Sequence, residues 1–159
     1  MLLRKLISTI SLFLLFMMST ALAQEERPAS PTTVEEEIFR VVEQMPIFYA
    51  EGCPESPYAA ARACADAEVE RLINEHLHYP TAATDAGVEG NLAVAFVINP
   101  DGSTRDHRVI RELGYGTGAE AIRVVKEYLV RWRPGLQGGV PVSVQYRVPF
   151  RFRLSLIED

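Results

Sequence analysis

Every second residue from Val140 to Leu156 is apolar: Val140, Val142, Val144, Tyr146, Val148, Phe150, Phe152, Leu154 and Leu156. The alternate positions are Pro141, Ser143, Gln145, Arg147, Pro149, Arg151, Arg153 and Ser155. A period of two predicts a strand over 140–156 with one buried face and one wet face. Pro149 lies on the wet parity and has no N–H to donate, which places this strand at a sheet edge. An open edge is either an aggregation hazard or a docking site.

The same reading assigns the rest of the chain. Ile38–Val42 is β-branched enough for a short strand, and 47–58 reads as a loop broken by Gly52, Pro54 and Pro57. A helix is predicted over Ala59–Leu77, because Ala61, Ala65, Val69, Leu72, Ile73 and Leu77 fall on one stripe while Asp66, Glu68, Glu70 and Arg71 point elsewhere. Pro80 ends it, since the residue before a proline avoids helical geometry. One more turn of helix fits 81–86. Asn91–Asn99 alternates as a strand, Asn99–Ser103 is a turn, and 104–113 returns as a second strand. Thr117 with Glu120 three residues on fits a capping box opening a helix over 118–131, stopped by Pro134-Gly135. The expected architecture is α+β. A three-stranded antiparallel sheet has the order second, first, third strand. Two helices pack on one face, and an N-terminal strand and helix extend it.

Composition adds the compartment. Arg4-Lys5, an uncharged run Leu6–Ala23 and the closing Ala21-Leu22-Ala23 read as a secretory signal peptide cut after Ala23. The alternative is an uncleaved membrane anchor, since 18 residues approach the ~17–25 of a spanning helix. Cleavage leaves 136 residues, one domain's worth, and a formal charge of −7 instead of −5. The division is 1–23 signal peptide, 24–33 linker and 34–159 domain, with its core in 79–156. An acidic exported chain is not a nucleic-acid binder. In that compartment the two cysteines, Cys53 and Cys64, read as a disulfide worth about 2–3 kcal/mol, with a reactive thiol or metal pair as the alternative.

No constellation predicts catalysis, a cofactor or a metal. The chain lacks G-x-S-x-G, H-E-x-x-H, a P-loop and G-x-G-x-x-G. Gly114–Gly118 precedes a helix and reads as an anion cradle or a plain connector. His76-x-His78 reads as a metal pair or as solvated residues at a helix end. The expectation is a non-enzymatic domain.

With the elements placed, the chain resembles the TonB C-terminal domain family. The matching residues are Tyr79-Pro80-x-x-Ala83, Gly87-Val88-x-Gly90, Val94-x-Phe96-Val97 before Pro100-Asp101-Gly102, Trp132-x-Pro134-Gly135, Gly139-x-Pro141-Val142 and Val148-Pro149-Phe150. Val41–Pro46 and Gly52-Cys53 look like a Bacteroidetes-type variant. The resemblance implies a periplasmic interaction domain whose last strand accepts the TonB box of an outer-membrane TonB-dependent transporter by β-strand addition. Carried over by position, the partner-binding residues are Tyr79, Pro80, Val142, Ser143, Val144, Gln145, Tyr146, Arg147, Val148 and Arg151. The family's energy transducers are anchored in the inner membrane and driven by the ExbB–ExbD motor. Here the apolar run has no histidine, unlike their anchor, and the linker Gln24–Thr33 reaches only about 30 Å. The implied role is docking. An anchored transducer engaging ExbB–ExbD is the reading if residues 6–23 are uncleaved. A homodimer pairing the 140–156 edge is the third.

Overall fold

The structure, a computed structural model, describes residues 37–154. In chain order the elements are β1 (Ile38–Phe39), β2 (Ile47–Phe48), α1 (Tyr58–His76), α2 (Thr81–Asp85), β3 (Gly90–Ile98) and β4 (Thr104–Arg111). They continue with α3 (Thr117–Tyr128), β5 (Trp132–Arg133), β6 (Gly135–Gln137) and β7 (Val140–Phe152). The main sheet runs β1-β7-β3-β4, with β6 also paired to β7, and β2 and β5 form a separate two-stranded ribbon.

β3 is the hub. It pairs antiparallel with β4 across the Asn99–Ser103 turn and antiparallel with β7 from Gly90↔Phe152 to Ile98↔Val144. In the turn, Asp101 Oδ1 accepts from the Ser103 amide at 2.9 Å. Gly102 is required there twice. Its φ is +82°, and a Cβ would sit 2.1 Å from the Trp132 carbonyl oxygen. Leu92, Val94, Phe96 and Ile98 of β3 join Val148, Phe150 and Phe152 of β7 in one core. α1 adds Ala61, Ala65 and Ile73 to that core, and α3 adds Ala121, Val124 and Val125. The small alanines on α1 let the helix axis approach the sheet closely.

The structure departs from the sequence-based expectations at three places. The family-like sheet has more strands than three. β1 pairs parallel with β7 at Ile38↔Ser143 and Phe39↔Val144, and β6 pairs with Val140–Val142. β7 is therefore not an open edge along its whole length. Second, the expected loop 47–58 contains β2, which pairs with β5 through Phe48↔Trp132. The helix expected to reach Arg131 stops at Tyr128, so that Trp132 can extend into that ribbon. The β6–β7 hairpin turns on Gly138 and Gly139, both at positive φ, as a two-residue turn of the primed type demands. Third, the Thr117–Glu120 capping box is not formed. The α3 N-cap is Gly116 in the left-handed region, and Glu112 supplies the missing acceptor. Its Oε1 accepts from the amides of Leu113, Gly114 and Gly118 and from the Thr117 hydroxyl.

Trp132 closes the core. Only 6% of it is exposed. Its indole N–H donates to the Leu129 carbonyl at 2.7 Å, and its ring meets Phe48 edge-on at 5.4 Å and Tyr146 at 4.8 Å. Among the described residues, no helix is long and apolar enough to cross a membrane.

Candidate functional site: an open edge facing a helix

Beyond Val144, the side of β7 opposite β3 carries no strand among the described residues. The open stretch is Gln145–Phe152. At about 3.3 Å per residue it offers a template some 26 Å long. Pro149 fixes which backbone groups face outward. It pairs with Ala93 in an uninterrupted ladder, yet has no N–H to give. It belongs at a position whose N and C=O point away from β3. Alternation then turns the amides of Gln145, Arg147 and Arg151 outward, and those of Tyr146, Val148, Phe150 and Phe152 toward β3. The Gln145 amide closes the Phe39↔Val144 pairing with β1, which leaves Arg147 and Arg151 as the outward amides that no described strand meets.

α1 faces this edge. Between them lies an open groove of about 890 Å³, walled by Arg62, Asp66, Val69, Glu70, Ile73 and Asn74 of α1 and by Tyr146–Arg151 of β7. A smaller hollow at Arg40, Met45, Arg62 and Gln145 continues it toward β1. α1 is held at its start by the Cys53–Cys64 disulfide, which ties loop 49–57 to the helix with a Cα–Cα distance of 5.7 Å. The Tyr58 hydroxyl donates to the Met45 carbonyl at 3.1 Å, and Arg62 pairs with Asp66 at 3.5 Å. Tyr146 is half-buried in the groove wall; burial, and then the Asp66 charge, pushes its phenol above the ordinary value.

The far end of α1 is clamped to α3. The Glu120 carboxylate accepts from Arg123 Nε at 2.9 Å and from the His78 amide at 2.8 Å. Arg123 also donates to the His76 carbonyl at 2.8 Å, and the His76 ring stacks on Tyr128 with centroids 3.8 Å apart. The Arg123 hydrogen bonds hold the Glu120 carboxyl down to about 2, against the opposing effect of burial. His76 and His78 thus serve the clamp. Among the described residues no group of three His, Cys, Asp or Glu side chains is placed to hold a metal ion. The Gly114–Gly118 cradle does receive an anion, and it is the chain's own Glu112 carboxylate. Those amides hold it below the usual carboxylate range.

The expected partner-binding residues divide into three sets. Gln145, Tyr146, Arg147, Val148 and Arg151 lie on the open edge. Val142 is paired with Gly135, Ser143 with Ile38, and Val144 with both Ile98 and Phe39, so these three are already covered. Tyr79 packs at the end of the open stretch, against Phe152, and Pro80 precedes α2. The Tyr79 hydroxyl donates to the Val88 carbonyl, its ring meets Phe152 edge-on, and Pro80 caps α2. The α1 wall was not among the expected residues. Its signal is the polar row Arg62, Asp66 and Glu70, flanking Val69 and Ile73 of the core stripe.

Residues 75–154 match the family described as Gram-negative bacterial TonB protein C-terminal. Similar solved structures include two NMR solution structures of the Helicobacter pylori TonB C-terminal domain. One is 21% identical, with a TM-score of 0.45, and the match covers 64% of this chain and 87% of that one. The other is 25% identical, with a TM-score of 0.43, covering 56% and 92%. No curated protein matches the sequence.

Proposed function

The chain belongs to the TonB C-terminal family, and from that premise we propose that it is a non-enzymatic periplasmic docking domain. On this reading an extended segment of an outer-membrane TonB-dependent transporter adds to β7 as a further strand along Gln145–Phe152. The observation that carries the reading is a strand edge unpaired among the described residues, with outward amides at Arg147 and Arg151, beside a groove of about 890 Å³. Main-chain hydrogen bonds to the edge supply affinity, and the flanking side chains supply selectivity. β1 bounds the site, because it already occupies the edge at Ser143 and Val144. Tyr79 supports the site by holding the sheet end through Val88 and Phe152.

The domain reaches the periplasm through the 1–23 signal peptide, a segment outside the described residues. Gln24 at the start of the native protein is the expected result; an intact N-terminus would instead support the anchored transducer and a motor contact. The docking reading is tested by Arg147→Pro. The Arg147 amide points outward, so the β3 ladder keeps its bonds while the partner loses one. The expected outcome is a folded protein, by circular dichroism, that no longer captures the transporter in a pull-down. Undiminished capture by a folded variant overturns docking at this edge.

A further inference from the structure

The two walls of the groove differ in charge, and the difference specifies the partner. β7 side chains alternate across the sheet. Val148 and Phe150 are buried on the α1 side, while Arg147 and Arg151 are exposed on the other. No carboxylate among the described residues lies within ion-pair distance of Arg147 or Arg151. On the α1 side the wall presents Val69 and Ile73, with Glu70 and the Arg62–Asp66 pair beside them. A strand added to this edge continues the same pleat. Its side chains beside Val148 and Phe150 face the apolar part of α1, where Glu70 repels a carboxylate and Asp66 is paired with Arg62. Its side chains beside Arg147 and Arg151 face two uncompensated cations.

From this, resting on the docking reading above, we infer that the partner segment alternates acidic and apolar residues, with carboxylates spaced to meet Arg147 and Arg151 and apolar side chains turned to Val69 and Ile73. Opposite charges across a strand pair attract and like charges repel. The same rule disfavours a second copy on this edge. Antiparallel self-pairing about Pro149 sets each Arg147 opposite the other copy's Arg151, and self-pairing about Arg147 sets that residue opposite itself. Simple bulk attraction does not account for an acidic partner either, because the chain is itself net negative.

The test uses the full processed chain and four fluorophore-labelled eight-residue peptides. One alternates Asp and Val, one alternates Asn and Val, one alternates Lys and Val, and one carries the same Asp and Val content in two blocks. Fluorescence anisotropy reads the affinities at low and high salt. The alternating Asp–Val peptide is expected to bind about tenfold tighter than its Asn and blocked counterparts. The advantage should shrink in high salt and pass to the Lys–Val peptide in the Arg147→Glu/Arg151→Glu variant. Both changed residues are solvent-exposed, and circular dichroism checks the fold. Equal binding of the Asp, Asn and blocked peptides, all lost in Arg147→Pro, overturns the charge pattern but leaves edge docking standing. Binding of no peptide, or binding that survives Arg147→Pro, overturns both.

Discussion

Single side chains decide how firmly the edge is presented. Trp132 joins the β2–β5 ribbon to the core through Phe48, Phe96 and Tyr146, and Tyr146 is itself part of the groove wall. Trp132→Ala is expected to cost about 3–5 kcal/mol in urea unfolding, as loss of a large core aromatic does. Glu120 makes stability depend on pH. Its folded value, about 2, lies below the ordinary 4.5. Its contribution is therefore complete above about pH 4.5 and is lost as the pH falls toward 2, a loss on the order of 1–3 kcal/mol. Denaturation series at several pH values should show a steeper acid loss in the wild type than in Glu120→Gln. At this scale the sequence was partly legible. Trp132 is recognisable as core because it continues the apolar row Ala121, Val124, Val125, Tyr128 and Leu129. The capping box was misread because local spacing is blind to Glu112, a carboxylate that precedes the helix and outcompetes the cap Thr117 was expected to provide. Its position leaves no room for a Cβ on Gly118, which would sit 1.9 Å from Glu112 Oε2.

At the level of elements, long periodic segments were legible and short paired ones were not. β3, β4, β7, α1 and α3 each carry enough residues for a period of two or of three to four to register. β1, β2 and β5 are two residues long and β6 three, too short for any period. They exist because a partner strand satisfies their backbone. The Gly138-Gly139 pair was the available sign of a hairpin. These short strands matter, because β1 and β6 cover the start of β7 and confine the site to its second half. The α1 wall was missed for a different reason. A helical stripe shows which residues lie together, but not which sheet edge they face. The Cys53–Cys64 pairing was legible, and its placement on α1 gives it a role at the groove. Replacing both cysteines by serine is expected to lower stability by about 2–3 kcal/mol, measured by denaturation under non-reducing conditions.

For the whole molecule, the fold holds one strand on one side and, among the described residues, leaves the second half of its other side open beside a helix. β7 is bonded to β3 over nine consecutive residue pairs, Gly90↔Phe152 to Ile98↔Val144, so a docked segment meets a preorganised template. The Arg123–Glu120 clamp at one end of α1 and the disulfide at the other fix the opposite wall. The family match ends at residue 75 on its N-terminal side, so most of α1 lies outside it. The edge belongs to the family-matched part of the chain, while the helix facing it is supplied from outside that part. Selectivity is accordingly expected to reside in α1 and the β7 arginines, and affinity in the β7 backbone.

The central claim concerns individual amides, and amide hydrogen exchange followed by NMR reads them directly. In the free protein the amides of Arg147 and Arg151 are expected to exchange fast, and those of Tyr146, Val148 and Phe150 slowly, with Gln145 slowed by its β1 partner Phe39. Adding a peptide from the periplasm-facing end of a TonB-dependent transporter should then protect Arg147 and Arg151. Binding of that peptide without any slowing at these two amides would contradict strand addition at the β7 edge.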